Sequence, residues 1–437
     1  MDIQLKYGRR GLSVSFPQSV TPTIIRKPVM PLVEDTAETI RNALFNPIGC
    51  KPLLEIGRGV QSVAIAVCDI TRPVPNGLFL RPLIECLIQA GIKRSHIKIL
   101  IATGLHRPNL GNELSEVIGD PWVEEYVEVI NHDARDDHQH VLIGHTKKRN
   151  TPVRLDRRFV EADLRIVSGL VEPHFMAGYS GGRKVIAPGL AHAETITTFH
   201  NARFMGDPLA ENCTLVGNPL HEEQLEIVEM LGGAFAVNTV IDESRRLSYL
   251  NFGEIRQSHI DAVKFVRQYC EIEIDKQYST VVTTSAGYPL DKTYYQTVKG
   301  MVGALGVLRP GGRLIIASEI SEGLGSPEYV ESQRRLLKMG AEAFMKMIED
   351  QRLARVDEWQ TQMQLKAMAR GSISLYSTGL RQEDGELTGV ERVDSIATAV
   401  MSSVAECGDS AVAVIPEGPY VVPMSEWPRH GMMNTWR

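Results

Sequence analysis

What most constrains this chain is a series of short apolar runs, each too brief for a helix and each ending in polar residues. Residues 62–67 (SVAIAV) stop at CDITRP (68–73), and Ile97–Ala102 (IKILIA) stops at TGLHRP (103–108). Residues 127–130 stop at Asn131, His132 and Asp133, and 163–167 (DLRIV) lead into a segment that begins at Ser168. Val- and Ile-rich runs of this length read as strands buried on both faces, as in parallel sheets. Helical spacing fills the intervals, at 35–46 behind a capping Asp35 and at 78–90 before Gly91. Strands alternating with helices predict an α/β fold with mostly parallel sheets and flanking helices. Ligands in such folds gather beyond the carboxyl ends of the strands.

The chain opens with a hairpin pattern, residues 2–6 and 11–16, and continues past 231 in the same α/β style. Helical spacing at 220–231 and 254–270 is followed by EIEIDKQYS (271–279), which reads as a linker or as the first strand of a second unit. Strand-like TVVTT (280–284) stops at SAGYPLD, where Asp291 reads as the cap of a helix carrying Tyr294, Tyr295, Gln296 and Lys299. Gln296 and Lys299 are three apart and share a face. Residues 311–318 repeat the strand pattern, then come helices at 328–340, 341–348 and 356–370, the last with Trp359. A helix at 395–407 and the strand Ala411–Ile415 close the pattern. The expectation is two α/β domains, 1–272 and 273–437, with an active site in the cleft between them and the last residues packing back on the first domain.

At 437 residues, two well-buried cores are affordable in length alone. A net charge of −6 supplies no basic field for nucleic acid. The six cysteines are scattered without a CxxC pair, which suits reduced thiols and a cytoplasmic setting rather than a disulfide framework. No window approaches the roughly 18 apolar residues of a membrane span.

Chemistry concentrates between Ser168 and Phe204. His174 precedes a glycine-rich turn at 178–182, Arg183 and Lys184 follow at once, and His192 and His200 come after. Glycines let backbone approach a ligand closely, and a lysine inside such a turn reaches a phosphate or acts as a nucleophile. Asp69, Arg72, His106, Glu172 and His174 all follow strand ends, so one shared crevice is expected. Each alone also suits a cap or a solvated turn. His132, His138, His140 and His192 read as surface or supporting residues, and the DHQH run as solvated.

With these motifs in hand, the chain resembles the nickel-dependent lactate racemase family. The resemblance rests on DITRP (69–73), TGLHR (103–107), PH (173–174) with GGRKVIAPG (181–189), HNAR (200–203), GNPLHE (217–222) and GYPLD (287–291) with Tyr295, Gln296 and Lys299. It implies a racemase or epimerase of lactate or a related 2-hydroxy acid, working through a 2-keto acid by hydride abstraction and return. It further implies a nickel-pincer nucleotide tethered through a thioamide to Lys184, with nickel also held by His200. By the same resemblance His106 and His174 are the acid/base pair. Arg72, Gln296 and Lys299 bind substrate, and Asp69, Tyr295 and Trp359 surround the cofactor. The implied partners are a small hydroxy acid and the proteins that synthesise the cofactor, with no nucleic acid and no membrane; the chain is expected as a monomer or homodimer. Two other readings stay open: a nickel-pincer-nucleotide binder without turnover, and an NAD-type oxidoreductase. The second is disfavoured because CDITRP stands where a dinucleotide fingerprint would.

Overall fold

The computed structural model describes residues 2–425. These fall into two compact units, Val29–Gln268 and the first 28 residues together with the chain from Tyr269 onward. This differs from the continuous split at 272/273, and the sheet pairing supplies the reason below.

The Val29–Gln268 unit is built on a six-stranded sheet in the order Leu247–Glu254, Phe235–Ile241, Leu164–Leu170, Val63–Cys68, Ile97–Ala102, Glu128–Asn131. Only the first pair is antiparallel. Alternation decides the packing, since Val63, Ile65 and Val67 share one face with Ile97, Ile99, Ile101, Leu164 and Ile166. The helix Asn76–Gln89 covers that face with Phe79, Leu80, Leu83, Ile84 and Leu87, all buried. Each such side chain contributes about 1.5–3 kcal/mol by leaving water. The register sets the functional end: Cys68 lies opposite Ala102, and Val67 opposite Ser168. Three neighbouring strands therefore release their polar residues side by side.

The second unit holds another six-stranded sheet, Glu391–Arg392, Gly371–Tyr376, Leu308–Ala317, Tyr278–Thr284, Ala411–Ile415, Thr21–Ile24, parallel throughout. Thr21–Ile24 adds to the edge beside Ala411–Ile415, which is why the first residues join this unit. Glu271–Ile274, expected as a linker or as the first strand of a second unit, is a strand that pairs in parallel with Val422–Ser425. The expectation for the last residues falls on 426–437, outside the described residues.

Two antiparallel pairs escape the sequence patterns, His140–His145 with Pro152–Asp156 and Phe235–Ile241 with Leu247–Glu254. Asp35 does cap its helix, accepting from Glu38 N at 2.8 Å. Asp291 does not: Thr293 caps Tyr294–Gly303, and Asp291 Oδ2 instead accepts from Gly8 N at 2.6 Å and Glu319 N at 3.2 Å. Asp291 thus ties the opening hairpin loop to the end of a strand.

Candidate active site

Asp69 leaves the central strand and is buried. Its Oδ1 accepts from the Thr71 hydroxyl at 2.6 Å, and its Oδ2 from His106 Nδ1 at 2.7 Å. Burial opposes ionisation of this carboxyl, but the His106 ring, the Thr71 hydroxyl and Arg72 together hold it below the usual range. An ionised carboxylate only accepts, so His106 Nδ1 carries a proton and Nε2 is the nitrogen turned to other partners. Its side chain is 61 % exposed, open to an incoming molecule. Two asparagines hold the strand ends in place. Ile70 N donates to Asn109 Oδ1 at 3.1 Å, and Asn109 and Asn131 exchange backbone–amide bonds of 2.8 and 2.9 Å. Sequence reasoning had no signal for either, because their role needs three strands in register.

Arg72 Nη1 lies 3.3 Å from Glu172 Oε1, joining the ends of two adjacent strands, and each side chain is partly exposed. Pro173–His174 then pairs with Gly178–Tyr179 across the turn. His174 is buried, and its Nδ1 accepts from Met176 N at 3.3 Å and Ala177 N at 3.2 Å. The glycines here serve close approach: a Cβ on Gly169 would stand 2.9 Å from Gly181 Cα, and Gly181 itself has φ +79. The helix that follows, Arg183–Ile186, is a single turn, so its dipole is short.

Arg183 is fully buried and points into the turn, donating through Nη2 to Ala177 O at 2.9 Å and Tyr179 O at 3.0 Å. Burial pushes its guanidinium down to about 9. Its Nη1 also lies 2.9 Å from His259 Nε2, on the helix Ile255–Cys270. The motif GGRK signalled the lysine and concealed this scaffolding arginine.

Lys184 sits where its charge reaches both His200 and Cys68, and Cys68 also feels Asp69 and Arg72. These five groups therefore share one locality. Burial, with the Asp69 charge, pushes the Cys68 thiol up to about 12, so it stays protonated. His200 is pushed down to about 3, first by burial and then by the Lys184 charge. Its Nδ1 donates to Ile196 O at 2.9 Å, which leaves the neutral ring a lone pair on Nε2. That is the form in which an imidazole binds a metal. Among the described residues no group of three or more His, Cys, Asp or Glu side chains could hold a metal ion by itself.

In the second unit, Tyr295, Gln296 and Lys299 stand on Tyr294–Gly303, and Trp359 opens Glu358–Arg370. Trp359 Nε1 donates to the Tyr295 hydroxyl at 3.3 Å. Among the described residues Gln296 Oε1 is buried without a hydrogen-bond partner, an uncommon state that a bound donor would relieve. A buried amide network of Gln333, Thr361 and Gln364 fixes the register of the Trp359 helix, with Gln333 Nε2 donating to Gln364 Oε1 at 2.9 Å. Of the histidines expected at the surface or in supporting positions, most lie inside. His132, His140 and His192 are buried, with successive ring centroids 5.0 Å apart, and only His138 of the four is exposed.

A mostly parallel α/β scaffold that sets a carboxylate–histidine dyad and an arginine at its strand ends, with a lysine and a buried histidine in the same locality, has the makings of an enzyme site. Family models for the lactate racemase N-terminal domain and the lactate racemase C-terminal domain match residues 7–212 and 274–422. The lactate racemase of Thermoanaerobacterium thermosaccharolyticum is 31% identical over 436 residues, covering 96% of this chain and 99% of that protein. The lactate racemase of Lactiplantibacillus plantarum is 30% identical over 394 residues, covering 88% and 90%. The solved lactate racemase apoprotein from T. thermosaccharolyticum superposes with a TM-score of 0.89 at 28% identity, covering 97% of this chain and all of that one. A Thermotoga maritima structure shares the fold, with a TM-score of 0.68 at 19% identity over 91% of this chain. The chain belongs to the lactate racemase family and is an isomerase. No helix among the described residues is long and apolar enough to cross a membrane.

Proposed function

We propose that this enzyme racemises a 2-hydroxy acid, lactate or a close relative, with a nickel-pincer nucleotide covalently held at Lys184. The observation that carries the reading is the Asp69–His106 dyad beside Arg72, in one locality with Lys184 and His200. The residues suit that group, for a neutral His200 offers one metal ligand. Lys184 would carry the tether, and the unpartnered Gln296 oxygen and the Tyr295–Trp359 pair suit contacts to cofactor or substrate.

The chemistry explains why such residues are wanted. The C2 hydrogen of a hydroxy acid is not acidic, because the neighbouring carboxylate is already negative. When bound, the nucleotide supplies an electrophilic pyridinium ring that accepts hydride. The protein's task is the rest. Arg72 offers a planar fork to the carboxylate, and Lys299 a point charge. His106 Nε2 takes the hydroxyl proton while Asp69 stabilises the imidazolium, so C2 becomes planar and either face is open to the returning hydrogen.

The test is conversion of a single enantiomer. Purified protein loaded with cofactor is expected to scramble lactate or another short 2-hydroxy acid, and Lys184→Ala and His200→Ala are each expected to abolish it. Full activity in either variant would remove the mechanism. Intact mass separates the binder without turnover, for it would show an adduct on the Lys184 peptide and no conversion of any hydroxy acid.

A further inference from the structure

In the Val29–Gln268 unit the strands Val63–Cys68, Ile97–Ala102 and Glu128–Asn131 end side by side, and the last supplies no group to the chemistry above. Beyond its end lies a cavity of about 560 Å³, with His106 in one wall and Asn131, Asp133 and Arg135 in the other. Small-molecule sites run to ~300–1,000 Å³. A methyl group, close in size to the ~30 Å³ of a water molecule, would leave this one nearly empty.

Much of the polar lining is already spent. Arg107 is forked onto Glu113 by two bonds of 2.6 Å. The Asn131 amide is used at both ends by Asn109, at 2.8 and 2.9 Å. Two exposed side chains keep capacity. Asp133 Oδ1 accepts from Arg135 N at 3.0 Å, and among the described residues its Oδ2 has no partner. Arg135 donates through Nη1 to Leu105 O at 3.5 Å, and among the described residues it has no ion-pair partner. An unspent acceptor and an unspent fork of donors, opposite in charge, thus line one cavity. A second carboxylate on the ligand would meet the Asp133 charge, and an apolar chain would displace water from both groups and return no hydrogen bond. Hydroxyls suit both, because each can donate and accept. The reach agrees. From a C2 atom beside His106 to the Asp133 loop is about one strand spacing, roughly 4.8 Å, which a methyl group does not span and a chain of several carbons does.

We propose that this cavity holds the C3 substituent of the substrate and that the substituent is a hydroxyl-bearing chain. The substrate class is then a polyhydroxy acid of the sugar-acid type, inverted at C2, with Asp133 and Arg135 as the residues that select it. This rests on the racemase reading above and names its substrate. Asp133 accepts from one chain hydroxyl and Arg135 donates to others, and neither moves a proton or a hydride. Lactate shares the reacting centre, leaves the cavity unused and is the slower substrate.

The cofactor-loaded enzyme is offered lactate, 2-hydroxyhexanoate and a panel of hexonic acids, which differ from 2-hydroxyhexanoate only in their further hydroxyls. At least one hexonic acid is expected to exceed 2-hydroxyhexanoate in kcat/KM by about tenfold or more, the worth of one hydrogen bond to a charged group. Asp133→Ala and Arg135→Ala change exposed positions. Each is expected to cut that preference about tenfold, with the loss in KM rather than kcat. Faster turnover of 2-hydroxyhexanoate or 2-hydroxyglutarate than of every hexonic acid, or a preference that survives both variants, would overturn the proposal and leave the racemase reading intact. If wild type converts no hydroxy acid, the racemase reading falls, and calorimetric titration of the same acids into the full chain decides the cavity. Tighter binding of a hexonic acid than of 2-hydroxyhexanoate, weakened by Asp133→Ala, supports it, and equal binding overturns it.

Discussion

Replacing Asp69 by Asn probes the dyad directly. The change is nearly isosteric and removes a negative charge from a side chain only 5 % exposed. It replaces a charge-assisted bond of 2.7 Å to His106, a kind worth about 1.5–3 kcal/mol. Because the His106 side chain is 61 % exposed, water screens part of this and the lower half of that range applies. A loss of about 1.5–2 kcal/mol is a rate loss of about 10- to 30-fold. A second effect acts through the proton. An Asn amide can donate to His106 Nδ1, which moves the ring proton to Nε2 and removes the lone pair that accepts the hydroxyl proton. In a comparable carboxylate–histidine pair this exchange costs about 10⁴-fold. Racemisation by Asp69→Asn should therefore fall by between about 10-fold and 10⁴-fold, the larger loss marking a reversed tautomer. The assay is the initial rate at which one lactate enantiomer loses optical purity, at matched nickel content, with folding checked by circular dichroism. A variant within about threefold of wild type would refute the dyad as the working base.

Other consequences are measurable on the protein without cofactor. Burial opposes ionisation of Asp156, but Arg158 and His132 outweigh it and hold its carboxyl at about 2, below the usual 3.8. A depressed carboxyl adds stability that is complete above the unfolded value and lost as pH falls toward the folded one, here between about 4 and about 2. Asp156→Asn should cost about 2 kcal/mol or more in urea unfolding at neutral pH, and the deficit should shrink in that acid window. His200 and His259 are both pushed down to about 3, mainly by burial. The sign is the same for a histidine held below its usual 6.5: the unfolded chain takes the proton first, so stability drains as pH falls below about 6.5 toward 3. His259→Gln should flatten part of that slope in equilibrium unfolding measured at several pH values. Gly181→Ala would place a Cβ 2.8 Å from Val171 Cγ2 at a positive φ, and should lower the unfolding free energy by about 1–3 kcal/mol.

Much of this architecture was legible because strand and helix signals are local. Six-residue runs such as IKILIA carry their own periodicity, and Asp35 declares a helix start within four residues. The polar stops at Asp69 and His106 were readable as neighbours once the runs were taken as adjacent parallel strands. The placement of Thr21–Ile24 was not readable, because it depends on which strand, almost four hundred residues later, leaves an open edge. Nor was the burial of His132 and His140, which a polar run conceals until Pro152–Asp156 pairs against it.

By itself the sequence determined the α/β class, the positions of the strand ends, and which residue types stand there, since these follow from periodicity and motif spacing along the chain. Only the tertiary structure decided what each of those residues is. Asp291 became a clasp rather than a helix cap, Arg183 a buried brace, and His106 the partner of a buried carboxylate. The physical reason is that a side chain's charge and proton are set by the groups packed against it, and those arrive from distant parts of the chain.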